Sequence, residues 1–466
     1  MNEKKILIVI PDWGLAWNIY CIEYAISLRE LGVSVSILDL SHLNVAFAKR
    51  RWLKLILRVV EKNRLSTIKR SLFKAYSIVN LTSNFRISKN KLESVNVNEE
   101  FFRLAMASKY SHYTGKRETF LADIDPAIVQ FERVIFKKVL VILDRLLGEG
   151  TFDEVITVNG RFIVDGAVVL TCKSLGIPIR LLEAANSVPG KYEVFNISPH
   201  HNRTHYELKM AAWESAPRGR EEVAQSVLRE RFLGTDRDGL PFRHNFKESY
   251  FPNSKGKLIA SFFPNSDREF ALFPEFLSEE SFEGSQERAF LIFSKIAAEL
   301  GYLVVVRAHP VNKGLSPTLQ AIHARVEDEN WSKLAKMAGA EFISSESTIS
   351  SYSLIEQSAV CVTYVSTIGI ETFLRNKPTL LLGNSTYSSM LSNLCAFNED
   401  TIRHKLQNLD RLQGSVTDLY PWGYWVLNGG KALTKFTFAS DDLLYFSGKQ
   451  VNERRKLLNL LSRMTH

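Results

Sequence analysis

Arg307-Ala308-His309-Pro310 closes an apolar run, Leu303 to Val306. Such a run reads as a buried strand, so His309 falls at its carboxyl end. An imidazole there can donate to a phosphate oxygen, and Arg307 can add charge. Pro310 fixes the turn that aims the ring. The plainer alternative is a loop histidine satisfied by a backbone carbonyl. Ser366-Thr367-Ile368-Gly369-Ile370-Glu371 follows a second apolar run, AVCVTYV. Ser366 and Thr367 fall where a helix starts, and a helix N-terminus offers N–H groups and a favourable dipole to phosphate. Gly369 permits close approach of another backbone. A capping box needs Glu three residues after its Ser or Thr. Glu371 lies five after Ser366 and four after Thr367, so the box does not fit and a ribose diol does.

Other candidates are more dispersed. Ser344 to Ser353 holds six serines in ten residues. Most read as a solvated loop with a helix cap, but Ser350 can turn a hydroxyl to a base or a phosphate. Carboxylates end three expected strands: Asp12 after KILIVI, Glu183 in IPIRLLEA, and Asp267 in FPNSDREF after KLIASFF. One of them is a plausible base or nucleophile. Asp267 ranks ahead of Glu183 and Asp12. His200, His201 and His205 raise the question of a metal. No HExxH pattern accompanies them, so the expectation is no metal and no cofactor.

The elements that must carry these residues alternate strand and helix. KILIVI, a helix from Ile19 to Leu31 stopped by Gly32, and VSVSILDL form a βαβ unit. The first loop lacks GxGxxG, so the nicotinamide fingerprint is missing. Residues 49–150 read as mostly helical. VNG ends a strand, and Val164 to Leu175 reads as a helix before IPIRLLEA. A second αβ series starts at KLIASFF. The expected fold is α/β, with two Rossmann-like domains facing a central cleft. Residues 1–245 make an N-terminal Rossmann-like domain with a helical insertion. Residues 255–440 make a C-terminal Rossmann-like domain, and 441–466 a C-terminal helix.

Composition removes several classes. The chain has 466 residues, 45% hydrophobic and 23% charged, which excludes disorder and collagen-like repeats. Four scattered cysteines give no CxxC pair and no disulfide framework. No secretory leader and no apolar run of membrane-spanning length is evident, so a cytoplasmic location is expected. Net charge is +9, and Lys49 to Lys74 carries all of it, with ten basic residues against Glu61. Nucleic acid is therefore not an expected partner, since such proteins usually spread charge over a whole face. Lys54, Arg58 and Lys62 lie every four residues, and Lys69, Arg70 and Lys74 continue the charge. The segment reads either as a solvated helix or as one lying on an anionic membrane at the inner face.

The run ISSYSLIEQSAVCVTYVSTIGIETFLRNKPTLLLGNSTY, preceded by VVVRAHP and SFFPNSDREF, resembles bacterial capsular polysaccharide biosynthesis proteins. These are similar to GT-B glycosyltransferases, including the β-Kdo transferase type. The resemblance covers roughly residues 256–390, with a weaker stretch at VNGRFIVDGAVVLTCKSLGIPIRLLEA. It implies that residues 255–440 bind a nucleotide-sugar donor, with a CMP-sugar favoured, and that residues 1–245 form the side of a glycan or glycolipid acceptor. It implies that His309 contacts donor phosphate, that Ser366 and Thr367 hold it, and that Glu371 meets the ribose. Asp267 and Glu183 match acidic residues implicated in catalysis, although FPNSDREF departs from that type's pattern. A non-hydrolysing nucleotide-sugar epimerase shares the two-domain cleft, but would carry Ser-Gly-Gly where this chain has Ser366-Thr367-Ile368. A non-catalytic assembly protein with a retained fold is a third reading.

Overall fold

Parallel strands covered on both faces need continuous apolar runs, and KILIVI, EVITV, IASFF and VCVT supply them. The computed structural model describes residues 3–11, 15–40, 69–81, 87–114, 124–148, 150–185, 190–196, 202–233, 256–265, 281–309, 317–440, 443–446 and 449–450. The chain divides into two compact units. Unit 1 holds residues 1–106, 121–199 and 429–466; unit 2 holds 107–120 and 200–428.

Unit 1 is built on β1 (Lys5–Ile10), α1 (Leu15–Glu30), β2 (Ser34–Asp39), β3 (Val79–Asn80), α2 (Lys89–Glu93), α3 (Glu99–Thr114, whose last turns fall in unit 2), α4 (Pro126–Leu147), β4 (Glu154–Val158), α5 (Ile163–Leu175), β5 (Ile179–Ala184) and β6 (Lys191–Phe195). Ile6, Ile8 and Ile10 pack against Ile19, Ile22 and Ile26 of α1. Asp125 caps α4 by accepting from the Ala127 N–H at 2.8 Å, with Pro126 at the first helical position. α5 stops at Gly176, whose φ of 66° suits glycine.

Unit 2 comprises α6 (Asn202–Glu214), α7 (Arg220–Leu233), β7 (Ile259–Phe263), α8 (Gln286–Glu299), β8 (Leu303–Arg307), α9 (Pro317–Ala338), β9 (Glu341–Ile343), α10 (Ser351–Gln357), β10 (Val360–Thr363), α11 (Ile368–Leu374), β11 (Thr379–Leu381), α12 (Glu399–Gln407) and α13 (Tyr420–Asn428). Its core gathers Phe262, Phe290, Phe293 and Trp331 around β7. The chain then returns to unit 1 as β12 (Lys431–Ala432), β13 (Phe436–Ser440), β14 (Leu443–Phe446) and β15 (Lys449–Gln450).

The seven-stranded sheet of unit 1 runs β12-β6-β5-β4-β1-β2-β3, and the five-stranded sheet of unit 2 runs β11-β10-β7-β8-β9. The unit 2 sheet is parallel throughout. In unit 1, β6 pairs antiparallel with both β5 and β12, and the other pairs are parallel. In each sheet the strands first progress outward in one direction, then restart on the other side of the founding strand. That reversal lies between β1 and β4 in unit 1 and between β7 and β10 in unit 2. Open α/β sheets bind ligands beyond the carboxyl ends of their strands at such a point.

Two expected boundaries are corrected. The helices between residues 202 and 233 join unit 2, because Val227 and Leu228 enter its core with Trp422. A Cβ at Gly423 would lie 2.9 Å from the Ala224 carbonyl oxygen, so α13 crosses α7 at backbone distance. The expected C-terminal helix from 441 begins instead as strands. Leu443–Phe446 and Lys449–Gln450 pair antiparallel, and Phe446 packs on Phe436 with ring centroids 5.1 Å apart. Ser447-Gly448 is a turn signal that a helical reading overran. Residues 451–466 lie outside the described residues. The returning segment is held to α1 by Glu23, which accepts from the Thr434 N–H and hydroxyl and from the Lys435 N–H at 2.8 Å.

Candidate functional site

In unit 2 the two loops at the switch point are stitched together. The Asn265 side-chain oxygen accepts from the Val365 N–H at 3.2 Å, and Gln286 exchanges two hydrogen bonds with the Asn265 backbone. The Thr363 hydroxyl donates to the Phe263 carbonyl at 2.8 Å and accepts from the Ser366 N–H at 3.3 Å. Ser366 is buried, and its carbonyl accepts from the Tyr387 hydroxyl. Thr367 precedes α11 with its side chain exposed and makes no side-chain capping bond. Ser366-Thr367 therefore sit where sequence placed them, at a helix start on the carboxyl edge. Asn265 and Gln286 were missed, because amides beside a strand carry no pattern of their own.

Gly369 answers to a side chain rather than to the expected backbone. A Cβ there would fall on the Tyr387 hydroxyl, with Leu381 Cδ2 at 2.9 Å and Thr363 Cγ2 at 3.1 Å. Gly369→Ala should therefore displace Tyr387, loosen the Ser366 loop and cost about 1–3 kcal/mol by overpacking. Urea unfolding checks this, and an alanine variant as stable as wild type would contradict it.

Glu371 is 7% exposed. One oxygen accepts from the Tyr352 hydroxyl at 2.8 Å, and the other lies 3.8 Å from Arg231. These contacts tie α10 and α7 to α11, where sequence suggested a ribose contact. Arg307 is 1% exposed, and its guanidinium donates to the carbonyls of Ala308, Ser344, Ser347 and Ile349. Burial pulls its pKa down to about 10. These bonds build the serine loop, where sequence suggested a phosphate contact. Asp328 completes that loop by accepting from the Ser345 N–H at 3.0 Å and from its hydroxyl at 3.1 Å. Burial holds the Asp328 carboxyl above its usual range. Ser350 accepts from the Tyr352 N–H at 3.2 Å and so caps α10. The Ala308 N–H extends the β8–β9 ladder to the Ile343 carbonyl at 3.0 Å. His309, half-buried, is the next residue, at the carboxyl end as expected. Asp267 lies outside the described residues.

In unit 1 the switch point carries a turn of three residues, Asn159, Gly160 and Arg161. Asn159 has φ 50° and Gly160 φ 89°. Glu183, near the end of β5, accepts from the Asn159 amide through one oxygen and from the Ala184 N–H at 3.1 Å through the other. Burial pushes its pKa up to about 7, although the Asn159 hydrogen bond and the Arg161 charge pull the other way. A carboxyl poised near neutrality can exchange a proton at working pH. Glu183 was legible in the sequence; Asn159, Arg161 and Asp165 were not. Asp12 lies outside the described residues.

His200 and His201 lie outside the described residues, and among the described residues no group of acidic, histidine and cysteine side chains could hold a metal ion. Burial raises the Cys21, Cys172 and Cys361 thiols to about 12, so they are not thiolates at neutral pH. Lys54, Arg58 and Lys62 lie outside the described residues. Lys69 is buried and pairs with Asp39 at 2.6 Å, so it does not extend an outward basic stripe as expected; Arg70 and Lys74 are exposed. Among the described residues no helix is long and apolar enough to cross a membrane.

No family model matches the chain, and no curated protein matches it. Solved structures do. The β-Kdo 2,7 transferase KpsC of Thermosulfurimonas dismutans aligns at 13% identity over 70% of this chain and 89% of that one, with a TM-score of 0.36. The UDP-GlcNAc 2-epimerase of Methanocaldococcus jannaschii, in complex with UDP-GlcNAc and UDP, aligns at 9% identity over 99% of both chains, with a TM-score of 0.28. The calicheamicin glycosyltransferase CalG4 aligns at 12% identity over 92% of this chain and 96% of that one, with a TM-score of 0.24. Scores this low carry no residue's role across to this chain.

Proposed function

We propose that the chain is a GT-B glycosyltransferase that moves a sugar from a nucleotide-activated donor to a growing surface polysaccharide or glycolipid. The observation that carries this reading is the content of the two switch points. Unit 2 has polar groups suited to phosphate at the β7–β10 reversal, and unit 1 has a near-neutral carboxyl beside the β1–β4 reversal. The resemblance of residues 256–390 to capsular polysaccharide biosynthesis proteins supports the sugar chemistry. His309, Ser366 and Thr367 receive the donor phosphate. Glu183 acts as base: it takes the proton of an acceptor hydroxyl as that oxygen bonds to the anomeric carbon. The sugar–phosphate bond breaks and the nucleotide leaves with its electron pair. Asp267, ranked first by sequence, and Asp12 are the alternative carboxylates for the same step. A CMP-sugar is the favoured donor, and an anionic membrane surface meeting the Lys49 to Lys74 segment is a proposed partner.

Melting temperatures measured with CMP, CDP, UDP and GDP test the donor half. A nucleotide that binds only the folded protein raises its stability. His309→Ala should weaken the effective nucleotide by about 1.5–3 kcal/mol, the worth of a charge-assisted hydrogen bond, while leaving the unliganded melt unchanged. If none of the four nucleotides stabilises the wild-type protein, the donor site is refuted.

A further inference from the structure

The turn after β4 is pinned from three sides. Asp165, fully buried on the first turn of α5, accepts from the Gly160 N–H at 2.8 Å and the Phe162 N–H at 3.3 Å. The Asn159 N–H donates to the Leu182 carbonyl at 3.0 Å, which locks the turn to β5. A Cβ at Gly160 would meet Leu181 and Val169 side chains at 3.0 Å, so the turn also fits tightly over the strand and helix beneath it. Asn159 itself takes the left-handed conformation, φ 50°, that asparagine tolerates better than most residues. From this braced backbone its amide reaches the Glu183 carboxyl.

The geometry points to Asn159 as a positioning residue: it holds the Glu183 carboxyl in one orientation at the unit 1 switch point, on a turn that Asp165 keeps rigid. The inference rests on the reading of Glu183 as the catalytic carboxylate. One Glu183 oxygen is held by Asn159 and the other by the Ala184 N–H, which limits the directions from which a proton can be exchanged. The charged groups around it are Arg161 on the turn, Asp165 on α5, and Glu193, its register partner on β6. Arg161 and the Asn159 amide favour the ionised carboxylate, while burial and Asp165 favour the protonated form.

Two substitutions separate positioning from mere turn formation. Glycine and aspartate both accept the left-handed backbone, so Asn159→Gly and Asn159→Asp keep the fold. Asn159→Gly removes the donor, and Asn159→Asp replaces it with an acceptor. Full-length protein carrying glutamate ¹³C-labelled at the carboxyl is titrated by NMR, with the Glu183 resonance assigned by its loss in Glu183→Gln. The Glu183 midpoint should rise in Asn159→Gly and rise further, by about one pH unit or more over wild type, in Asn159→Asp. Midpoints equal to wild type in both folded variants overturn the positioning role and leave the proposed function standing. Undiminished sugar transfer in Glu183→Gln removes Glu183 from the chemistry, and the positioning role with it, while the sugar transfer itself stands.

Discussion

Glu183→Gln is expected to lower sugar transfer by about 10²–10⁴-fold, the usual loss when a general base is removed, with nucleotide affinity unchanged. The amide keeps the size and the hydrogen-bonding oxygen of the carboxyl but cannot take a proton. The pH dependence follows from the same group. Its pKa stands near 7 because the carboxyl is taken out of water at the end of β5. A base must be ionised to act, so the wild-type rate should rise with pH through about 7 and level off above it. Stability should run the other way. The folded pKa lies above the ordinary carboxyl value of 4.5, so the unfolded chain gives up this proton first. Between about 4.5 and 7 the folded state then binds more protons than the unfolded one, and this group's contribution to stability falls as pH rises. Above about 7 the contribution is constant. Glu183→Gln should lack that slope, so unfolding measured at pH 5 and pH 8 should gain relative to wild type at the higher pH. A variant within threefold of the wild-type rate would remove Glu183 from the chemistry.

Arg307→Met is expected to destabilise unit 2 by about 3 kcal/mol and to open the serine loop. The methionine fills similar space, but the carbonyls of Ser344, Ser347 and Ile349 lose their donor. A buried acceptor left without a partner costs about 1–3 kcal/mol. Part of this is offset, because the guanidinium itself is expensive to bury; the depressed pKa reports that cost. Arg307→Lys should fall between the two, since an ammonium cannot reproduce a planar fork of donors. Urea unfolding gives the stability, and amide hydrogen exchange over residues 344–350 gives the loop. Equal stability of Arg307→Met and wild type would return Arg307 to the role that sequence suggested, a charge directed at a ligand.

The two Arg307 assignments differ for a physical reason. In sequence the arginine stands two residues before a histidine at a strand end, and proximity suggests a shared ligand. What the side chain reaches depends on the strand beside it. β8 pairs with β9, and Arg307 stands opposite Ile343 in that register. That register brings residues 344–349 against the guanidinium, a contact separated by 37 to 42 residues along the chain. The Glu371 contacts arise similarly: Tyr352 and Arg231 come from helices whose packing no local pattern encodes.

Local pattern was sufficient for the strands and most helices near the sites. Buried parallel strands must be apolar throughout, so KILIVI, EVITV, IASFF, LVVVR and VCVT announce themselves; LVVVR places His309 and VCVT places Ser366-Thr367 just beyond a strand end, while Glu183 stands near the end of the shorter apolar run IRLLEA. The parallel alternation and the α/β class follow from the same periodicity. Strand order does not, because it depends on which apolar faces find each other after the chain has turned back. Only that order places the reversals between β1 and β4 and between β7 and β10. The attachment of residues 202–233 to unit 2 was likewise decided by tertiary packing, through Val227, Leu228 and the close crossing at Gly423. Residues on a single strand or helix share a local period that sequence can display. Partners such as Asn159 and Glu183, 24 residues apart, meet only because β4 and β5 pair in one register, and that register is set by the burial of the whole sheet.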